Sequence, residues 1–211
     1  MIEIPILEIF SDYVWPWCYF ITGRIDQLRK EFEIDIRWTA FPLHPETPED
    51  GQSIEQLFAG RLDIDQVKNR LRQAAQDAGL PFGDRKMTYN SRLAQELGKW
   101  AESKGKGDEF HQAVFRAYIV QGINIGKIPE LANLAGSIEL SGDEAQEVLQ
   151  KRAFKEEVDQ DWARSRQKGI QAVPTFLLGQ RVLVGAQPYE IIADFLDKAG
   201  VNRRDGFFAQ K

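Results

Sequence analysis

The sequence predicts an α/β protein in which a long helical stretch interrupts a small sheet. Strand-like runs occur near both ends of the chain, the middle from about Ser53 to Leu149 carries helical periodicity, and helical patterns flank the strand-like runs. The resulting order is strand, helix, strand, long helical block, helix, strand, strand, helix. At 211 residues and 43% apolar content, the chain is long enough to bury a sizeable core, as one large domain or one domain with an insertion.

The first strand-like run is Ile6 to Phe10, followed by Ser11-Asp12-Tyr13-Val14-Trp15-Pro16-Trp17-Cys18-Tyr19-Phe20. Apolar residues then recur at Cys18, Ile21, Ile25, Leu28 and Phe32, the spacing of one helix face. Pro16 falls just inside the start of that helix, where a missing N–H costs nothing. Ile34, Ile36, Trp38 and Ala40 alternate with Asp35, Arg37 and Thr39 as in a half-buried strand. Pro42, Pro45, Pro48 and Gly51 mark a loop.

In the helical block, Leu93, Leu97, Trp100 and Ala101 form one stripe, and Phe110, Val114 and Tyr118 another. Ser141-Gly142-Asp143-Glu144 is a capping box. It opens a helix whose continuation carries Phe154, Val158 and Trp162 and ends at Gly169. Thr175 to Leu178 and Arg181 to Val184 flank Gly179-Gln180 as a hairpin. A closing helix starts at Pro188, buries Ile192, Phe195 and Leu196, and stops at Gly200. Residues 201–211, polar apart from Phe207 and Phe208, read as a loose tail.

A net charge of −5 with no basic arm argues against nucleic acid as a partner. No window of roughly 18 apolar residues predicts a membrane span. Met1 to Pro5 shows no signal-peptide pattern, so a cytoplasmic location is expected. Cys18 is the single cysteine, which excludes an internal disulfide framework. Nothing in the sequence speaks to oligomeric state.

Ser11-Asp12, Pro16-Trp17-Cys18-Tyr19 and the preceding strand resemble the active-site segment of DsbA-like oxidoreductases, in particular the FrnE-like branch, which is related to 2-hydroxychromene-2-carboxylate isomerases and kappa-class glutathione transferases. Further matches are Asn90-Ser91-Arg92-Leu93-Ala94, Phe115-Arg116-Ala117-Tyr118, Val173-Pro174-Thr175-Phe176 and Val184-Gly185-Ala186-Gln187-Pro188. The resemblance implies a thioredoxin-like fold with a DsbA-type all-helical insertion. Residues 1–50 and 142–200 would form the discontinuous thioredoxin-like domain and 51–141 the inserted helical domain. It further implies a cis Pro174 facing the redox turn, with Val173 offering its backbone to a bound peptide or thiol. The implied binding surface is Ser11, Trp15, Pro16, Trp17, Val173 and Pro174, with Cys18 as the catalytic candidate. The implied partners are a peptide, a protein thiol or a small thiol ligand; the resemblance makes no cofactor certain and leaves glutathione open.

The family pattern is Cys-Pro-Trp-Cys, and this chain has Trp15 at the first cysteine position, that of the nucleophile. An indole N–H is a donor only and does not ionise, so Trp15 is not nucleophilic and no intramolecular disulfide can form. Cys18 then has two readings: a buried small hydrophobe, or a monothiol that forms mixed disulfides. Trp15 leaves two roles for the site, a binding surface with an aromatic floor, or a helix N-terminus that activates a thiol brought by the ligand. The glutathione-dependent relatives carry serine at the Trp15 position and a polar Gly-x-Asp-Arg where this chain has Gly185-Ala186-Gln187-Pro188. Ser11 supplies a nearby hydroxyl, also readable as a strand-end residue. His44 and His111 read as structural or solvated, and Asp12 as a turn carboxylate. Arg61, Lys68, Arg70 and Arg72, interspersed with Asp63, Asp65 and Asp77, read as a solvated helix face.

Overall fold

A computed structural model describes residues 4–58 and 63–204. Its centre is a four-stranded sheet in the order β2-β1-β5-β6, with β1 at Ile6–Ser11, β2 at Asp35–Ala40, β5 at Thr175–Leu178 and β6 at Arg181–Val184. β1 runs parallel to β2, in register from Ile6 opposite Asp35 to Ser11 opposite Ala40, and antiparallel to β5. β5 and β6 form the hairpin expected around Gly179, whose φ of 60° is one that favours glycine.

β1 is buried on both faces, which is why its sequence is nearly continuously apolar. Leu7 and Ile9 join Phe176 and Leu178 in one cluster, closed by Ile25 and Leu28 of α2 (Thr22–Glu31) and by Ile192 and Leu196 of α10 (Tyr189–Lys198). Phe10 and Leu177 face the other way, into a larger cluster with the helical block. That block holds α3 (Ile54–Phe58), α4 (Ile64–Asp77), α5 (Arg92–Ser103), α6 (Gly107–Phe115) and α7 (Ile128–Ser137), followed by α8 (Gly142–Gln150) and α9 (Lys155–Gln167). Trp100, Phe110, Val114 and Tyr118 are fully or almost fully buried there.

Several local expectations differ from the structure. The first helix is broken: α1 spans Pro16–Phe20, and α2 restarts after Ile21, with Thr22 Oγ1 donating to the Tyr19 carbonyl at 2.9 Å. After α6 the chain makes one π-helical turn over Arg116–Val120, closed by Gln121 N–H donating to the Arg116 carbonyl at 3.2 Å. The Ser141 cap forms, accepting from Glu144 N–H, but its helix stops at Gln150. Arg152 takes φ 52° and turns the chain into α9, where the periodicity suggests one continuous helix. The sequence shows no strand between Ser53 and Leu149, yet β3 (Gln52–Ser53) and β4 (Met87–Thr88) pair in a separate two-stranded ribbon. Two residues per strand are too few for alternation to register. Pro188 is the residue before α10 rather than its first member, with ψ 153°. Arg61, Phe207 and Phe208 lie outside the described residues, as does most of the tail.

Glu8, 3% exposed, is the ionisable side chain of β1. Arg164 of α9 donates to both its oxygens, Nε to Oε1 at 2.5 Å and Nη2 to Oε2 at 2.6 Å, and Thr39 Oγ1 donates to Oε1 at 2.7 Å. Burial raises the Glu8 carboxyl, but these hydrogen bonds and the Arg164 charge outweigh it, so it sits below the ordinary carboxylate range. Thr39 is itself 1% exposed, although β2 alternation assigns it to the polar face; this bond is the reason. Arg164→Leu should lower unfolding stability at pH 7 by about 2–3 kcal/mol, since it leaves a buried carboxylate without its charged partner. The Glu8 contribution is full above the ordinary carboxylate value and is lost as pH falls through the depressed one. Urea titrations should therefore show the gap between parent and variant closing below about pH 4.

Candidate functional site

The segment after β1 is held by backbone hydrogen bonds. Trp15 N–H donates to the Asp12 carbonyl at 3.1 Å, and the Trp15 carbonyl accepts from Cys18 N–H at 3.0 Å and Tyr19 N–H at 3.4 Å. Trp15 is extended, φ −98° and ψ 113°, as the residue before a helix should be, and Pro16 opens α1. Asp12 is 1% exposed; Val14 N–H donates to Oδ1 at 3.2 Å and Leu43 N–H to Oδ2 at 3.0 Å. Its carboxylate thereby ties the Pro-rich loop to the turn. Burial pushes it up to about 6, against these two N–H donors and Ser91.

Cys18 has no exposed surface, and burial pushes its thiol up to about 12, although Ser11 and the Asp12 backbone act in the opposite direction. It belongs to the larger cluster, together with Phe10, Tyr19 and Phe20. Ser11 is 6% exposed and borders a separate void of about 30 Å³ with Tyr13, Trp38 and His111. Val173 and Pro174 are buried, joined by a cis peptide bond, and Gly185 N–H donates to the Pro174 carbonyl at 2.8 Å.

Trp15 and Trp17 are half-buried and, with Pro16, form one wall of a cavity of about 270 Å³. The opposite wall comes from α3, α4 and the segment Phe82–Arg85, through Leu57, Phe58, Val67, Leu71 and Phe82. Phe20 links the turn to that segment: its ring meets Trp17 edge-on at 5.6 Å and Phe82 at 5.7 Å. Of the seven residues expected at the site, the cavity brings together Trp15, Pro16 and Trp17, whereas Ser11, Cys18, Val173 and Pro174 do not line it.

The charged face of α4 is solvated at Arg70 and Arg72, as expected, and with Lys68 these residues also border the cavity. Arg70 lies over the Trp17 ring at 5.5 Å, and Lys68 and Arg72 share Asp84 at 3.6 and 3.4 Å. Asp63 has a different role, capping α4 by accepting from Gln66 N–H. Sequence reasoning missed Phe82, Asp84 and Arg85. The available signal was Gly83, where a Cβ would come within 2.0 Å of the Val120 carbonyl oxygen, so that only glycine fits. His44 borders the cavity. His111 is packed away, its ring stacked on Trp38 at 3.9 Å, and burial lowers it to about 3. Among the described residues no group of three or more His, Cys, Asp or Glu could hold a metal ion, and no helix is long and apolar enough to cross a membrane.

This arrangement is similar to known proteins over nearly its whole length. An uncharacterised protein of Bacillus subtilis, YwbO, is 25% identical over 184 residues, covering 85% of this chain and 90% of its own. A probable DsbA oxidoreductase from Streptomyces coelicolor superposes with a TM-score of 0.86 at 23% identity, covering 98% of this chain and 93% of that one. The cytosolic disulfide reductase DsbM from Pseudomonas aeruginosa, solved with glutathione, superposes at 0.66 with 18% identity, covering 92% and 99%. The profile of the DSBA-like thioredoxin domain matches residues 6–197, and the chain belongs to that family.

Proposed function

We propose that this protein is a DsbA-like binding module of the FrnE-like branch, in which the redox turn holds a ligand and does not exchange disulfides. The proposal treats 1–50 and 142–200 as the thioredoxin-like unit and 51–141 as the insertion that supplies the cavity's far wall. The observation that carries this reading is the complete burial of Cys18 with its thiol pushed up to about 12. Burial holds the Cys18 thiol protonated at pH 7, and the thiolate is the attacking species. Trp15 supplies no second sulfur, so a mixed disulfide at this turn would have neither a ready nucleophile nor a resolving partner.

What remains is a surface suited to binding. Trp15 and Trp17 offer large, rigid apolar area with an N–H at the edge of each ring. The ligand is a peptide, a protein thiol or a small thiol compound seated against Trp15, Pro16 and Trp17, the turn residues that line the cavity. A cytoplasmic setting fits an unpaired cysteine. A second reading, a glutathione-dependent isomerase or transferase working through the ligand's own thiol, is favoured by the glutathione present in the DsbM structure. The absence of a serine at position 15 counts against it.

Two experiments test the proposal. Labelling of the native protein with a thiol reagent at pH 8 should run on the order of a thousandfold slower than in urea. Prompt stoichiometric labelling would restore the monothiol mechanism and sink the binding reading. In the second, the parent should leave insulin disulfides intact at catalytic concentration. Trp15→Cys should form an intramolecular disulfide with Cys18 and reduce insulin at least about tenfold faster than the parent, because the turn already has dithiol spacing. Parent activity abolished by Cys18→Ser would be the opposite result.

A further inference from the structure

The outer edge of β2 is plugged over only half its length. Asp35 N–H donates to the Pro5 carbonyl at 3.0 Å and Phe41 N–H to the Ser11 carbonyl at 2.9 Å, so the odd-numbered residues of this stretch bond to β1. The alternation along a parallel ladder then turns the N–H and carbonyl groups of Ile36, Trp38 and Ala40 away from β1. Side chains meet the far end of that row, Lys99 at the Trp38 carbonyl and Asp161 at the Ala40 N–H. Among the described residues no side chain does the same for the N–H or carbonyl of Ile36.

The open half borders a cleft of about 430 Å³, lined by Asp35 to Trp38 and by Ile6, Arg29, Gly105 and Gly107 among others. Apolar surface reaches this cleft from both faces of the sheet. Ile36 and Trp38 are partly buried against the cluster that holds Leu7. Ile6 alternates with Leu7 and so lies on the opposite face, where it is 42% exposed.

The described chain ends beside the same cleft. Arg203 bridges to Phe32, Arg204 N–H donates to the Glu31 carbonyl at 2.8 Å, and Arg204 Nε donates at 3.1 Å to the carbonyl of Arg29, a lining residue. Asp205-Gly206-Phe207-Phe208-Ala209-Gln210-Lys211 follows, a length that spans up to about 24 Å when extended. Gly206 admits the backbone angles of a sharp turn immediately before the aromatic pair. Adjacent residues of a strand point to opposite faces, so a strand carrying Phe-Phe sets one ring beside Ile36 and Trp38 and the other beside Ile6.

We propose that residues 205–211 add to the open half of the β2 edge as a short fifth strand, with Phe207 and Phe208 seated in the cleft on opposite faces of the sheet. The Ile36 N–H donates to the added backbone and the Ile36 carbonyl accepts from it. The segment completes the cover that Lys99 and Asp161 begin and closes the edge to a strand from another molecule. A tether this short holds the segment at a local concentration of roughly millimolar, which a second copy does not match in dilute solution. The proposal is independent of how the redox turn is used.

Amide hydrogen exchange followed by NMR tests it. In the full chain, Ile36 should exchange at least about tenfold more slowly than in a chain ending at Arg204 or in the double variant Phe207→Ser, Phe208→Ser. The Leu7 and Ile9 amides, on the inner side of β2, should match in all three. Equal Ile36 exchange in the full chain and both variants would overturn the proposal. Protection that weakens on dilution, with a dimer in sedimentation, would assign the edge to a second copy and overturn it as well. A readout on the parent alone serves where a variant fails to fold. Chymotrypsin should cut after Phe207 and Phe208 at least about tenfold more slowly in the folded chain than in a peptide of residues 200–211, and equal rates would count against the added strand.

Discussion

A carboxylate placed in the middle of the central strand organises the sheet. Glu8 is buried where its neighbours in β1 are packed between two apolar clusters, and Arg164 and Thr39 must meet it there. That requirement brings α9 across β2, the strand at one edge of the sheet. Asp161, one turn before Arg164, accepts from Ala40 N–H at 2.8 Å, and Lys99 of α5 donates to the Trp38 carbonyl at 3.1 Å while pairing with Asp161 at 2.9 Å. Two outward backbone groups of β2, the Ala40 N–H and the Trp38 carbonyl, are thus occupied by side chains, which blunts part of an edge otherwise open to another strand. Gln95 extends the connection, donating to the Phe41 carbonyl at 3.1 Å and accepting from Trp162 Nε1 at 2.9 Å.

The shape of the turn does not depend on sulfur. Pro16, the extended backbone of Trp15 and the Trp15 carbonyl set the start of α1, while Asp12 anchors the preceding loop. None of these contacts involves a thiol. Cys18 contributes packing, as Ile21 does one helical turn on, and burial stabilises the neutral form of its side chain. The turn of the DSBA-like frame therefore holds its shape without help from a thiol, and the tryptophan at position 15 adds apolar surface facing the cavity.

How much of this was legible in the sequence follows from how local each signal is. The four sheet strands, the hairpin at Gly179, the cap at Ser141 and the apolar face carrying Cys18 are short-range patterns, and each can be read from a few adjacent residues. The break at Arg152 was hidden because its left-handed backbone carries no glycine or proline; Arg152 reaches Glu96, 1% exposed, which Arg92 also binds. The turn half of the cavity was legible through its tryptophans. The other half was not, since Lys68, Arg70 and Arg72 have the composition of a solvated face. Only the fold discloses that α4 packs against the turn, with Arg70 over Trp17.

Gly83 has a consequence for how such a chain can diverge. Its N–H donates to the Ile119 carbonyl at 3.2 Å, and its bare Cα lies against the Val120 carbonyl where no side chain fits. The two positions after it, Asp84 and Arg85, border the cavity. Asp84, exposed and paired with Lys68 and Arg72, can be traded for another residue without rebuilding the scaffold, whereas Arg85 is held by Tyr118 and the Met87 carbonyl. Position 83 stays closed to drift, because any replacement would lift the segment off the π-helical turn and carry both neighbours with it.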